Sequence, residues 1–200
     1  MVICDWNGNK IIFQGRIFNS LLFWFINKFI INGHNNTISV CRGGGDVYNG
    51  TFLINGENNE IWIGKNTRCK NFLLRADGKR NRILIGKDVS FGGGCIHAMD
   101  GTRIKIGDGC MLSHDIDIRS GDGHSIYEDK SNVKYNKGKN ISIGKHVWIG
   151  IRAQILKGVV IKDNCIVGAS SVINKPFGEE NCIIAGYPAK IVKRNIRWER

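Results

Sequence analysis

Proline is nearly missing from this chain, at 2 of 200 residues. Collagen needs glycine at every third position together with abundant proline, so the 26 glycines cannot be read as a collagen repeat. The cysteines lack any CxxC or CxH spacing, and there are seven of them. An odd number without such spacing argues for free, reduced thiols, and a cytoplasmic location is expected. A basic n-region leading to a cleavage site is absent between Met1 and Trp6, so no signal peptide is expected. Long apolar runs are lacking too. The most apolar stretch, Ile17 to Ile31, is broken by Asn19, Ser20, Asn27 and Lys28, whereas a membrane span needs roughly 20 mostly apolar residues. Acidic residues are in deficit: 17 Asp and Glu face 29 Lys and Arg, a formal charge of +12. Such a surface attracts phosphorylated cofactors, acidic polysaccharides, anionic lipid or nucleic acid, but no recognised nucleic-acid motif accompanies it.

What the sequence has is a repeat. Ile31-Asn32-Gly33-His34-Asn35-Asn36-Thr37-Ile38-Ser39-Val40 resembles the segment from Ile54 to Ile63, at an offset of 23. Related segments end at Ile85 and Ile106, and a further one starts at Ile118 but wanders until Ile143. Within these units runs a shorter period. Ile143, Ile149, Ile155, Ile161, Val167 and Ile173 are six apart, and Ile85, Phe91 and His97, then Ile106, Leu112 and Ile118, continue the pattern. A period of six fits neither a helix nor a lone strand. It fits a short strand plus a tight corner, three such hexads closing one triangular coil.

The corner chemistry agrees. Asn66, Asp88, Gly109, His146, Gly158 and Asn164 lie three positions after the apolar residue, and these residue types are enriched at positive φ. Thr67, Val89, Cys95, Cys110, Ala153, Val159, Cys165 and Ser171 lie one position later. They are small enough to fill a narrow interior, which accounts for these cysteines as buried packing. The chain therefore divides into an N-terminal cap over 1–31, a β-solenoid domain over 32–192 and a basic C-terminal tail over 193–200. Phe18, Leu21, Leu22, Phe25 and Phe29 fall at helical spacing, so a helix or strand is expected to seal the solenoid end. The tail reads as solvated, or as an attractor of anions. One long inserted loop is expected at about 121–140.

Four stretches carry a family resemblance: Leu112-Ser113-His114-Asp115-Ile116-Asp117-Ile118-Arg119-Ser120-Gly121-Asp122-Gly123-His124-Ser125-Ile126; Ile143-Gly144-Lys145-His146-Val147-Trp148-Ile149-Gly150; Val167-Gly168-Ala169-Ser170-Ser171-Val172; and Ala185-Gly186-Tyr187-Pro188-Ala189-Lys190. In these, residues 85–193 resemble the hexapeptide-repeat acyltransferases, and most of all the enzymes that O-acetylate bacterial capsule and O-antigen polysaccharides, polysialic acid included. The resemblance implies an all-β, left-handed parallel β-helix, and a homotrimer with its active site between subunits. It also implies transfer of acetyl from acetyl-CoA to a sugar hydroxyl without a metal.

A sugar hydroxyl must lose its proton as it attacks a thioester. A neutral imidazole can take it, since the ordinary histidine pKa is roughly 6.5. His124, in the longest break of the repeat, matches the family's catalytic histidine; His114 is the alternative base. Trp148 matches a tryptophan that positions substrates and whose backbone N–H can serve the oxyanion; simple interface packing is the alternative reading of this residue. Glu128, Asp129, Lys130, Lys134, Tyr135 and Lys137 in the insertion are candidates for the acceptor pocket. The resemblance assigns the coenzyme to Gly150, Ile151, Ala169, Asn174, Lys175, Lys190 and Lys193. Lys190 and Lys193 stand where relatives often carry Arg, and Asn174 where they often carry Thr. The acceptor-side Asn and Asp of the galactoside enzymes fall on Gly93 and Gly101, which removes a galactoside-type acceptor site.

Three other readings stay open. A zinc hydrolyase of this fold would need a close histidine pair, and His97, His114 and His124 are widely spaced. A non-enzymatic carbohydrate-binding solenoid would need no insertion. N-acetylation of an amino sugar would ordinarily call for an extra nucleotide-binding domain.

Overall fold

A computed structural model describes residues 2–14, 23, 25–41, 43, 45–130 and 132–200. The chain winds as a left-handed parallel β-helix whose coils present three walls. The first wall stacks Lys10–Gln14, Thr37–Cys41, Glu60–Ile63, Arg82–Ile85, Arg103–Ile106, Ile141–Ile143 and Val160–Ile161 in parallel register. The second stacks Ser90–Phe91, Met111–Leu112, Trp148–Ile149, Ile166–Val167 and Ile183–Gly186. The third stacks Gly94–Met99, Ile116–Arg119, Gln154–Ile155 and Val172–Ile173. Upstream, the long strands Val47–Glu57 and Arg68–Lys79 round the corner between second and third walls, and Lys28–His34 pairs with the former.

The hexad explains this coil. All six corner residues singled out by the period have positive φ: 58° at Asn66, 57° at Asp88, 69° at Gly109, 51° at His146, 81° at Gly158 and 59° at Asn164. Thr67, Val89, Cys110, Ala153, Val159, Cys165 and Ser171 all point inward and are buried. So do the apolar residues six apart, from Ile143 to Ile173. Apolar area taken from water in this way stabilises the coil by about 25 cal/mol per Å².

Two positions depart from the period. Ile96 and Ala98 are fully buried and face the interior, so Cys95 and His97 face outward. The cause is the corner Gly92-Gly93-Gly94, where φ is 139° at Gly93 and 131° at Gly94. A Cβ on Gly94 would stand 2.1 Å from Ile116 O, so only glycine lets the chain slip by one residue here.

The N-terminal segment is more integrated than the expected cap. Lys10–Gln14 is already a rung of the first wall, upstream of residue 32. Phe29 lies on a strand, Phe25 is 87% exposed, and Phe18, Leu21 and Leu22 fall outside the described residues. Phe23 fills the end of the core instead, stacked on Phe13 at 4.6 Å and tilted against Phe29 at 5.5 Å. Among the described residues no helix is long and apolar enough to cross a membrane.

Candidate active site

The inserted loop leaves the third wall after Arg119 and rejoins the first wall at Ile141. It is long but tied down. Asn136, itself buried, donates through Nδ2 to His124 O and to Asp122 Oδ2, both at 2.8 Å, and its Oδ1 accepts from Ile126 N at 2.7 Å. Asp100 accepts from Lys134 Nζ at 2.6 and 2.8 Å and from Gly138 N at 2.9 Å. Lys157, one coil further along, pairs with Asp122 and holds that carboxyl below the ordinary aspartate range. His124 is thereby presented on a braced turn, its side chain exposed to solvent. Asn136, Asp122, Asp100 and Lys157 were not foreseen from the sequence. Three of them are acid–base partners of ordinary loop composition, and no spacing marks them.

Trp148 sits on the outer face of the second wall, between Met111 and Ile166. Its indole Nε1 is buried and has no hydrogen-bond partner among the described residues. The third wall separates it from the turn that carries His124, so one chain does not bring the two together. His114, by contrast, stands at the corner between second and third walls. It lines an open groove of about 510 Å³ with Tyr48, Arg68, Lys70, Ser90 and Met111. Its ring lies over Gly92, 3.1 Å from where a Cβ would stand.

The residues expected to hold the coenzyme fall into three places. Gly150, Ile151 and Ala169 share the second-to-third-wall corner of successive coils. Ser170 N donates to Ile151 O at 2.8 Å, and a Cβ on Gly150 would stand 2.7 Å from Ala169 N. This makes a strip of small residues along the corner, with Ile151 37% exposed beside it. Lys190 and Lys193 lie on the last strand, Ala189–Lys193, which runs antiparallel to Ile183–Gly186 and opposes Lys190 to Ala185. Asn174 and Lys175 are exposed at the other end of the third wall, with Lys175 Nζ 5.8 Å from the Phe177 ring centre. The corner strip and Lys190 are neighbours in one chain, while Asn174 and Lys175 are on the side that carries the His124 loop.

The outer face of the third wall carries a charged row. His97 Nε2 lies 2.7 Å from Asp77 Oδ2, and Arg119 pairs with Asp117 at 2.8 Å. Burial lowers the His97 pKa, and the bond to Asp77 opposes that without overcoming it. Among the described residues, no three His, Cys, Asp or Glu side chains converge where they could hold a metal ion. The expected solvated tail is anchored: Lys193 ends a strand, and Trp198, 8% exposed, packs on the coil.

Residues 140–175 match the family model described as bacterial transferase hexapeptide (six repeats). The chain is 38% identical over 190 residues to a polysialic acid O-acetyltransferase of Neisseria meningitidis, covering 84% of this chain and 87% of that protein. It is 34% identical over 140 residues to a polysialic acid O-acetyltransferase of Escherichia coli O1:K1, covering 70% of this chain but only 45% of that longer protein. Among solved structures, it is similar to the polysialic acid O-acetyltransferase OatWY, with a TM-score of 0.79 and 31% identity over 95% of this chain and 91% of that one. The polysialic-acid-specific acetyltransferase NeuO gives 0.61 and 26% over 96% and 89%. With its repeat, its coil and a relative matched over nearly its whole length, the chain belongs to the hexapeptide-repeat acetyltransferase family.

Proposed function

We propose that the chain O-acetylates a bacterial surface polysaccharide, taking acetyl from acetyl-CoA and placing it on a hydroxyl of an acidic sugar such as sialic acid. The observation that carries this most is the likeness to OatWY along nearly both whole chains. The net charge of +12 suits an anionic acceptor and an anionic donor alike.

In this reading a homotrimer in the cytoplasm closes the site. His124 of one copy meets the second wall of the next, because one chain holds His124 and Trp148 on opposite sides of its third wall. A closed ring of like interfaces repeats that junction in every copy. The acceptor hydroxyl attacks the thioester carbonyl while a ring nitrogen of His124 takes its proton. The Trp148 backbone N–H, expected to meet the oxyanion, is already given to Cys165 O at 2.9 Å and so is not that donor. As the tetrahedral adduct collapses the C–S bond breaks, and the leaving thiolate recovers the proton from the imidazolium. Gly150, Ile151 and Ala169 admit the pantetheine arm close to the backbone, Asn174 offers a further polar contact to the coenzyme, and Lys175, Lys190 and Lys193 meet the coenzyme's phosphates. A second reading makes His114 the base, since it lines a groove that one chain forms alone.

The test is acetyl-CoA-dependent thiol release against a panel of capsular and O-antigen polysaccharides. Release that follows one acidic polymer, with acetyl found on its oxygen, is the expected result. Binding of acetyl-CoA with no release on any polymer would reject the acceptor class, and no binding at all would reject the donor.

A further inference from the structure

We infer that segment 194–200 is one bank of the substrate groove on the second wall, and that Trp198 is a positioning residue for Trp148. This rests on the proposed placement of Trp148 at the reaction site. The segment does not trail into solvent. Arg194 forms a two-point pair with Glu179 at 2.6 and 3.1 Å, and Ile196 N donates to Asn181 O at 2.9 Å. The chain then crosses the coils along the first-to-second-wall corner. Trp198 stacks flat on His146, with ring centres 3.9 Å apart and 1° between planes, and its Nε1 donates to His146 O at 3.2 Å. Arg200 ends the crossing two coils earlier, donating to Asp88 O at 3.1 Å and to Ser90 Oγ at 2.6 Å.

Arg200 brings the end of the segment to the edge of the groove, through Ser90. Ser90, the partner of Arg200, lines the groove that also holds Met111 and His114. Met111 pairs in register with Trp148, the next rung down. The Trp198 ring lies 6.1 Å from that of Trp148, tilted by 46°. Trp148 is thus approached from the His146 side by another indole. Its buried Nε1, unpartnered among the described residues, marks a donor that the coil itself does not use. His146 serves as the anvil: its backbone is fixed by a positive-φ corner and its Nδ1 lies 3.1 Å from Asn164 Oδ1. The His146–Trp198–Trp148 contact therefore couples a rigid corner to the side chain nearest the chemistry.

The experiment compares Trp198→Ala, Trp198→Phe and Trp148→Ala by steady-state kinetics on the full chain, with oligomer mass and melting recorded for each. The expected result for Trp198→Ala is a kcat about tenfold lower at nearly unchanged KM for acetyl-CoA and unchanged mass, with Trp198→Phe recovering most of the rate because its ring still covers His146. A Trp198→Ala enzyme with wild-type kcat while Trp148→Ala is impaired would overturn this inference alone. Normal turnover by Trp148→Ala would overturn the placement of Trp148 and this inference with it. A rate loss in Trp198→Ala that merely tracks lost folding, with Trp198→Phe no better, would also overturn the positioning role.

Discussion

Asn59 Nδ2 donates to Asn36 Oδ1 at 3.0 Å inside the coil, across 23 residues of sequence. The same bond links Asn36 to Asn9 and Asn81 to Asn59, and each Oδ1 also accepts the backbone N–H of the next asparagine. The second Nδ2 proton caps a glycine carbonyl, Gly56 for Asn36 and Gly78 for Asn59. All four side chains are buried. Buried amides in such a chain are satisfied only as a set, because each one supplies the partner of the next.

Asn59→Leu therefore breaks the ladder at its middle. It leaves Asn81 without its acceptor and Gly78 O without its donor, at about 1–3 kcal/mol for each stranded group. Urea melts should show a loss of about 3 kcal/mol or more relative to the parent chain. A loss under about 1 kcal/mol would mean that the coil re-pairs these groups and that the ladder is not cooperative.

Much of this fold was legible because its rule is local and repeats. The six-residue period gave the inward residues from Ile143 to Ile173 and every predicted positive-φ corner. It failed at Cys95 and His97, where three glycines let the register slip by one residue, since a period counted along the chain cannot see a slip made at a corner. The asparagine ladder hid in plain view: Asn36 and Asn59 were part of the visible repeat, but their burial depends on which side of the corner the amide turns. The site was legible only in part. The family resemblance proposed His124, Trp148 and the small corner residues, whereas Asn136 and Asp100, which brace the loop, and Trp198, which lies 6.1 Å from Trp148, act through contacts between distant segments that no short motif records.

His124 and His114 make opposite predictions for the general base. On the proposed mechanism His124→Ala lowers kcat by about 10²–10⁴, with acetyl-CoA affinity and oligomer mass retained, while His114→Ala loses less than about tenfold. Single-turnover rates for both variants decide it. The reverse ranking would move the base to the groove of a single chain.

The thiols should sort by burial. Burial pushes the Cys69 and Cys182 thiols up to about 12 and Cys110 up to about 11. Only a thiolate reacts readily with alkylating agents. Native-state labelling at pH 8 should therefore modify the exposed Cys4 first, and Cys69, Cys110, Cys165 and Cys182 only after denaturant is added. Mass spectrometry that found Cys110 or Cys165 labelled in the folded chain on the timescale of Cys4 would contradict the interior placement of the hexad's small positions.

The Asp77–His97 contact sets a pH dependence of stability. Burial lowers the His97 pKa despite the 2.7 Å bond to Asp77. In the unfolded chain the imidazole returns to about 6.5. Between the folded value and about 6.5 the unfolded chain binds more protons. The contribution of His97 is therefore fully present above that range and lost as pH falls through it. Asp77 behaves differently: burial raises its pKa, but hydrogen bonds from Asn55 and His97 outweigh this and hold it below the ordinary value. Its contribution therefore survives mild acid and is lost only as pH falls below about 3.9. Urea midpoints taken from pH 7.5 down to pH 5 should fall in the parent chain, and fall less steeply in His97→Gln, whose amide keeps a partner for Asp77 and does not titrate. Parallel profiles in the two proteins would show that His97 takes up its proton in the folded coil as easily as in the unfolded chain, and that the buried contact imposes no penalty on its charge.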